Sequence, residues 1–249
     1  MSQDSGEAAS GGGPAERTVR EERSLSPMRR TISERLGESY RNAVHVTLHR
    51  EVRADPLVAV VEGFGADHPD VSLVDPLLLA VSETLAAHPA VNATFEDDTH
   101  RLYEEHNVAV AVAIEAGLVT PVLGDVGSMS LATIASERNR VTDLVQAGDY
   151  SMSDLRNGTF TVSNLGPLGV DSFTPIINPP QVAILGVGRT RERATPPGVD
   201  SGDDVEFEQR LSLDLAIDHR VVDGADGARF LETLAGHLED VGSLVEERA

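Results

Sequence analysis

The segment AIDHRVVDGADGARF, residues 216–230, ends an apolar alternating run with a histidine at the mouth of a Gly-rich turn, and an aspartate follows four residues later. An imidazole at a strand end, held by backbone contacts, is a general base poised near neutral pH, and His219 has that position. A second reading fits the same residues. Asp223 can cap the last helix with Asp226 adding favourable charge in its first turn, which leaves His219 as a partly exposed strand-end residue.

Ser163 is the other polar residue whose setting could do chemistry. It lies at a strand end in FTVSNLG, beside Asn164 and Gly166. A nucleophilic serine is expected in G-x-S-x-G at a strand-to-helix elbow, and that pattern is missing. What stays open is a hydroxyl donor to an oxyanion or an Asn-Gly-type turn residue. His45 and His49 share a spacing that would make a metal pair on a helix. On a strand, four residues span about 13 Å, too far for two imidazoles to share one ion. His68 and His88 each precede a proline, His237 lies on the last helix, and no acidic or Cys partner completes a metal set. The expectation is that no metal is bound. ILGVGRT carries only Gly-x-Gly before a charged turn, far short of a dinucleotide fingerprint.

The elements that must position these residues can be read from periodicity and punctuation. Residues 1–24 have almost nothing to bury and read as a disordered arm. Order begins at SLSPMRRTISERLGESYRNA, where Ser26 can cap, Pro27 takes the first helical position, and Met28, Ile32 and Leu36 recur on one face. HVTLHREV alternates like a strand. PLVAVVEGFGADHP and VDPLLLAVSETLAAHPAVNA read as helices, the second starting at Asp75-Pro76 and stopped by His88-Pro89. FEDDTHRLYEEHNVAVAVAIEAGLVTPVL is a strand–turn–strand series whose Val/Ala run suits an interior strand. SLATIASERNRVTDLVQAG suits a helix, with Leu131, Ile134, Val141, Leu144 and Val145 apolar. GTFTVSNLG, QVAILGVGR and RLSLDLAIDHR read as strands, and PPGVDSGDDVEFEQ as an exposed hairpin turn. A final helix carries Leu231, Leu234, Ala235, Leu238 and Val241 on one face. Helices and strands intermix without an internal repeat, so the expected fold is one mixed-sheet α/β domain.

Composition narrows the function classes. The sequence of 249 residues is long enough to bury a substantial core, and it has no Cys, which excludes disulfides, thiolate metal sites and thiol nucleophiles. Acidic residues number 41 against 20 basic ones, a net charge of −21, and all the basic residues are Arg. A field of that sign repels nucleic acid and anionic membranes, which excludes both as partners. An acidic, Lys-free chain also points to a high-salt cytoplasm, where counter-ions screen self-repulsion; a high-GC genome is the alternative source of the Arg bias. No apolar run reaches the length of a membrane span, and the start resembles no secretory signal, so a soluble cytoplasmic protein is expected.

Taken together, GTFTVSNLGPLGVDSFTPIINPPQVAILGVGR and DHRVVDGADGARFL closely resemble the catalytic domain of the E2 (dihydrolipoamide acyltransferase) components of 2-oxoacid dehydrogenase complexes. SPMRRTISERL and NVAVAVAIEAGLVTPVL match the same domain, so the resemblance runs over about residues 25–245 and makes residues 25–249 the catalytic domain. It implies the chloramphenicol acetyltransferase-like fold, a mixed sheet flanked by helices in an obligate trimer. It implies that His219 takes the proton from the attacking thiol of coenzyme A or dihydrolipoamide, that Asp223 acts structurally around the site, and that the Ser163 hydroxyl hydrogen-bonds the tetrahedral oxyanion. In the family this histidine and this hydroxyl come from neighbouring subunits. Coenzyme A is then a substrate. A lipoyl group needs a lysine, and this sequence has none, so the group is expected on a separate protein, with no lipoyl or subunit-binding domain here. The partners implied are copies of the chain in a homotrimer or larger cage, a lipoylated protein, and the E1 and E3 components. Two other readings stay open: acylation of a different acceptor, and a scaffold core that organises partner enzymes.

Overall fold

A computed structural model describes residues 17–65, 68–115, 117–195 and 205–248. Helix α1 (Pro27–Asn42) starts where the cap predicts, the Ser26 hydroxyl accepting the Arg29 N–H at 3.2 Å. Strand β1 (His45–Arg53), α2 (Asp55–Gly65) and α3 (Val74–Ala87) follow, the last ending at His88-Pro89. Strands β2 (Ala93–Glu96) and β3 (Thr99–Leu102) form a hairpin whose turn residues, Asp97 and Asp98, have φ of 49° and 54°, the left-handed pair of a primed tight turn. Next come β4 (Val108–Val110), β5 (Val112–Ile114), β6 (Gly117–Val119) and β7 (Val122–Leu123), then α4 (Leu131–Ala147), capped by Ser130 and closed by Gly148 at φ 79°. Strands β8 (Phe160–Asn164), β9 (Ala183–Thr195) and β10 (Glu206–Asp218) lead to α5 (Gly224–Glu239) and α6 (Val241–Glu247).

Six strands make the central sheet in the order β1-β10-β9-β8-β4-β7. β8 runs parallel to both β9 and β4, and the other pairs are antiparallel, so the sheet is mixed as expected. Alternation then sorts the side chains by face. Phe160, Val162, Leu185, Leu213, Leu215 and Ile217 point to one side and join the main core with α2, α3, α5 and α6. Thr161, Ser163, Ile184, Asp214 and Ala216 point to the other. That second face is covered by the loop from Leu165 to Gln181, where Ile177 packs on Ile184 and Ala216. The loop is held from above by α1, the Ser39 hydroxyl donating to the Ile177 carbonyl at 2.6 Å.

Three sequence expectations change. The Val/Ala run does not form one interior strand: Val108–Val110 joins the sheet between β7 and β8, while β5 pairs only with β6 in a separate ribbon. The last helix breaks at Asp240, so Val241 opens a second helix, although it is buried with the rest of that face. The apolar face of α1 does not enter the main core, since Met28, Ile32 and Leu36 are only half-buried and border a cavity. Of the expected arm over 1–24, residues 1–16 lie outside the described residues, and 17–24 are exposed and neither helix nor strand. In the acidic turn, 196–204 lie outside them too, and Glu206–Gln209 already belong to β10.

Candidate active site

His219 directly follows β10, on the turn that leads into α5. Its backbone N–H donates to the Val44 carbonyl at 2.8 Å, and its ring is 41% exposed. Nδ1 lies 3.8 Å from an Asp223 carboxylate oxygen, an ionic approach rather than a hydrogen bond. Asp223 is at the same time the N-cap of α5, and its N–H donates to the Asp226 carboxylate at 3.3 Å. The capping role read from the sequence for Asp223 is thus present, and the same side chain lies beside the His219 ring.

The turn is fastened by two neighbours of His219 that the sequence reading passed over. Arg220 donates in a fork to the buried Asp218 carboxylate, with contacts of 2.5–3.0 Å. The N–H groups of Arg220 and Val44 add bonds of 3.1 and 3.2 Å. Burial opposes charge on Asp218, but these hydrogen bonds outweigh it and hold the carboxyl below its ordinary range. The Arg220 guanidinium also lies 4.7 Å from the centre of the Phe95 ring. The available signal was the alternation itself, which puts an acidic residue at an inward-facing position of β10 with a cation two residues on.

Ser163 is on β8, 7% exposed, and faces a cavity of about 330 Å³. Met28, Ile32, Leu36, Leu118 and Ile176 give this cavity an apolar wall, and Arg35 is at its edge with its guanidinium donating to the Pro179 carbonyl at 2.8 Å. Among the described residues the Ser163 hydroxyl has no hydrogen-bond partner. The hydroxyl opens to this cavity rather than being sealed in the core, so it can bond to a group that enters it. The neighbouring Asn164 side chain instead accepts the Gly166 N–H at 2.9 Å and fixes the turn after the strand.

One chain does not bring His219 and Ser163 together. The Asp218 N–H bonds to the Val182 carbonyl, so His219 is level with Gly158, two residues before β8 begins. Ser163 lies five residues further along and two strands across, a separation of about 19 Å at ~3.3 Å per residue and ~4.8 Å per strand.

The histidines weighed above as metal ligands are occupied locally. His45 Nε2 accepts the Ile177 N–H at 3.3 Å, and His49 Nδ1 meets Asp214 at 2.6 Å. His68 stacks on Phe64, His88 Nε2 lies 2.8 Å from the Thr233 hydroxyl, and His237 Nδ1 lies 2.9 Å from that of Thr84. Among the described residues no group of three or more His, Asp or Glu is placed to hold a metal. None of the described helices is long and apolar enough to cross a membrane.

The architecture is that of chloramphenicol acetyltransferase, with a TM-score of 0.53 over 84% of this chain and 93% of that one; at 13% identity this is a likeness of fold alone. The chain belongs to the family of 2-oxoacid dehydrogenase acyltransferases (catalytic domain), which it matches over residues 18–246. It is 36% identical over 227 residues to the dihydrolipoyllysine-residue acetyltransferase component of the Rickettsia bellii pyruvate dehydrogenase complex, covering 88% of this chain and 53% of that protein. The succinyltransferase component of the 2-oxoglutarate dehydrogenase complex of Rickettsia typhi is 34% identical, covering 89% and 56%. The chain thus spans about half the length of the curated relatives it matches. The Azotobacter vinelandii dihydrolipoamide acetyltransferase has a TM-score of 0.84 at 26% identity, covering 93% of this chain and 99% of that one. That enzyme was studied for the catalytic role of a serine, a histidine and, four positions later, an asparagine; the residue four positions after His219 here is Asp223. The cubic core of a pyruvate dehydrogenase multienzyme complex also superposes with a TM-score of 0.84, at 27% identity over 93% of this chain.

Proposed function

We propose that this chain transfers an acyl group between dihydrolipoamide and coenzyme A in a site shared by two adjacent copies, as the catalytic core of a 2-oxoacid dehydrogenase complex. His219 of one copy removes the proton from the attacking thiol, since a thiol with a pKa near 8.5 is mostly protonated at pH 7. The sulfur attacks the thioester carbonyl carbon, and the oxygen gains a full negative charge, which the unspent Ser163 hydroxyl of the adjacent copy stabilises. Collapse expels the other sulfur, which recovers the proton from the His219 imidazolium. Asp223 orients the turn and the ring. Both substrates are thiols or thioesters, so direct transfer from sulfur to sulfur needs no acyl-enzyme. The lipoyl group is carried outside this sequence, which offers no lysine for it.

The observation that carries the reading is that strand register holds the His219 and Ser163 positions two strands and about five residues apart in one chain, roughly 19 Å between backbones. A shared site in a trimer makes complementation possible. Copies carrying His219→Ala and copies carrying Ser163→Ala, each inactive, should recover roughly a quarter of the parent activity after dissociation and random reassembly, because every mixed trimer restores one junction. No recovery despite demonstrated subunit exchange would overturn the shared site. Acetyl transfer from acetyl-CoA to dihydrolipoamide supplies the readout.

A further inference from the structure

Ser163, Gly186, Asp214 and His49 are successive partners across β8, β9, β10 and β1. Residues paired in this way point to one face, so the four make a single row across the sheet on the side of the Ser163 cavity. The second member has no side chain. A Cβ at Gly186 would lie 2.9 Å from Phe173 Cζ and 3.3 Å from the Asp214 Cβ. The Phe173 ring therefore fills the space a residue-186 side chain would take, with Asp214 on one flank and Ser163 on the other.

Asp214 holds that ring in place. Its carboxylate side chain is 1% exposed, and every contact it makes is to the covering loop or to β1. One oxygen accepts the Phe173 N–H at 2.9 Å. The other accepts the Ser172 hydroxyl at 2.9 Å and meets His49 Nδ1 at 2.6 Å, so His49 must donate from that nitrogen. An ionised carboxylate is costly to bury on a sheet unless several donors converge on it, and here three do. The loop fastened at Ser172 and Phe173 goes on to supply Ile176 and Asn178 to the cavity that Ser163 faces.

We propose that Asp214 is a positioning residue for Ser163. With His49 and Ser172 it pins the loop, so that the Phe173 ring and the Ile176–Asn178 wall confine the Ser163 hydroxyl and keep it aimed into the cavity. The proposal rests on Ser163 being the oxyanion donor. It adds a residue that touches no reacting atom and that the motif around His219 does not reveal.

The test reads acetyl transfer from acetyl-CoA to dihydrolipoamide at a temperature well below the melting point of every variant. Asp214→Asn removes the charge, and Gly186→Ala pushes the same ring from beneath. Each should lower kcat about tenfold with KM changed less than about twofold. His49→Ala, at an exposed position, removes one of the three donors and leaves two, and should lower kcat about three- to fivefold with a melting temperature close to the parent's. The decisive arm is coupling: added to Ser163→Ala, Asp214→Asn should cost less than about twofold more, because its effect passes through a hydroxyl already gone. A full tenfold loss in that background, or parental kcat in all three variants, would overturn the proposal. A Ser163→Ala chain as active as the parent overturns the oxyanion reading itself, an outcome recognisable without any Asp214 variant.

Discussion

His219 stands on a turn with its ring 41% exposed, whereas Ser163, two strands away, is 7% exposed inside a strand with neighbours on both sides. Within the chain the Ser163 end is complete as a structure: strand pairing sets its position and the covering loop sets its surroundings. The His219 end is fixed only in its backbone, through Val44 and Asp218, and its ring has one distant ionic neighbour. Under the proposed mechanism, a base that approaches a mobile thiol tolerates that freedom, while a donor that meets a developing oxyanion does not. The difference teaches that the two halves answer to different constraints, one to access and the other to rigidity.

Perturbing the open half should have the largest effect on rate and the smallest on structure. His219→Ala is expected to lower kcat by about 10²- to 10⁴-fold, with the melting temperature and subunit assembly of the parent. A loss under tenfold with assembly intact would remove His219 from proton transfer and dissolve the comparison. At the rigid half, Ser163→Ala should cost about 10²-fold, mostly in kcat, because the charge it meets exists only on the way to the intermediate. If KM rises while kcat holds, Ser163 binds substrate instead.

A smaller effect, on stability rather than rate, separates the backbone of the His219 turn from its ring. Arg220→Ala leaves the Asp218 carboxylate buried with only two N–H donors and should destabilise by about 1–3 kcal/mol. The pH dependence follows from the lowered Asp218 pKa. Its stabilisation is complete above the unfolded value near 4 and is lost as pH falls through the lower folded value. Without Arg220 burial is left to act, so the acid-unfolding midpoint should move to higher pH. Melting curves between pH 3 and 7 decide it, and an unmoved midpoint would show that the fork is ornamental.

Much of this was legible in the sequence. The cap at Ser26, the stop at His88-Pro89 and the strand leading into His219 are local signals, and each formed where the residues implied. Ser163 read as ambiguous because its meaning lies in an empty space ahead of it, which no spacing expresses. The stripe of Met28, Ile32 and Leu36 looked like a core face because periodicity reports that a helix is amphipathic and not what it faces. Asp214 was invisible for another reason: its partners His49 and Ser172 are 165 and 42 positions away, and only strand register brings them together.

The smallest expected effect is general. Net −21 on a compact surface repels itself when unscreened, so we propose that the fold is adapted to high salt. Moving from low to molar KCl should raise the melting temperature by several degrees, and more for assembled than for dissociated protein. Identical curves would refute the adaptation and leave genome composition as the source of the Arg bias.

β10 carries Asp214 in its middle and ends one residue before His219, so under the proposed mechanism a single hydrogen-bonded strand would set both the support of one Ser163 and the reach of the base toward another. Distances along such a strand come only in steps of one residue, and each step also exchanges its two faces. Inserting or deleting one residue between Leu215 and Asp218 would therefore not merely lengthen or shorten the reach. It would turn core leucines and the row of Asp214 inside out relative to everything beyond. Natural length variation in chains of this kind should accordingly avoid the five positions from Asp214 to Asp218 and collect beyond the paired ends of β9 and β10 or at the register shift between Leu211 and Leu213.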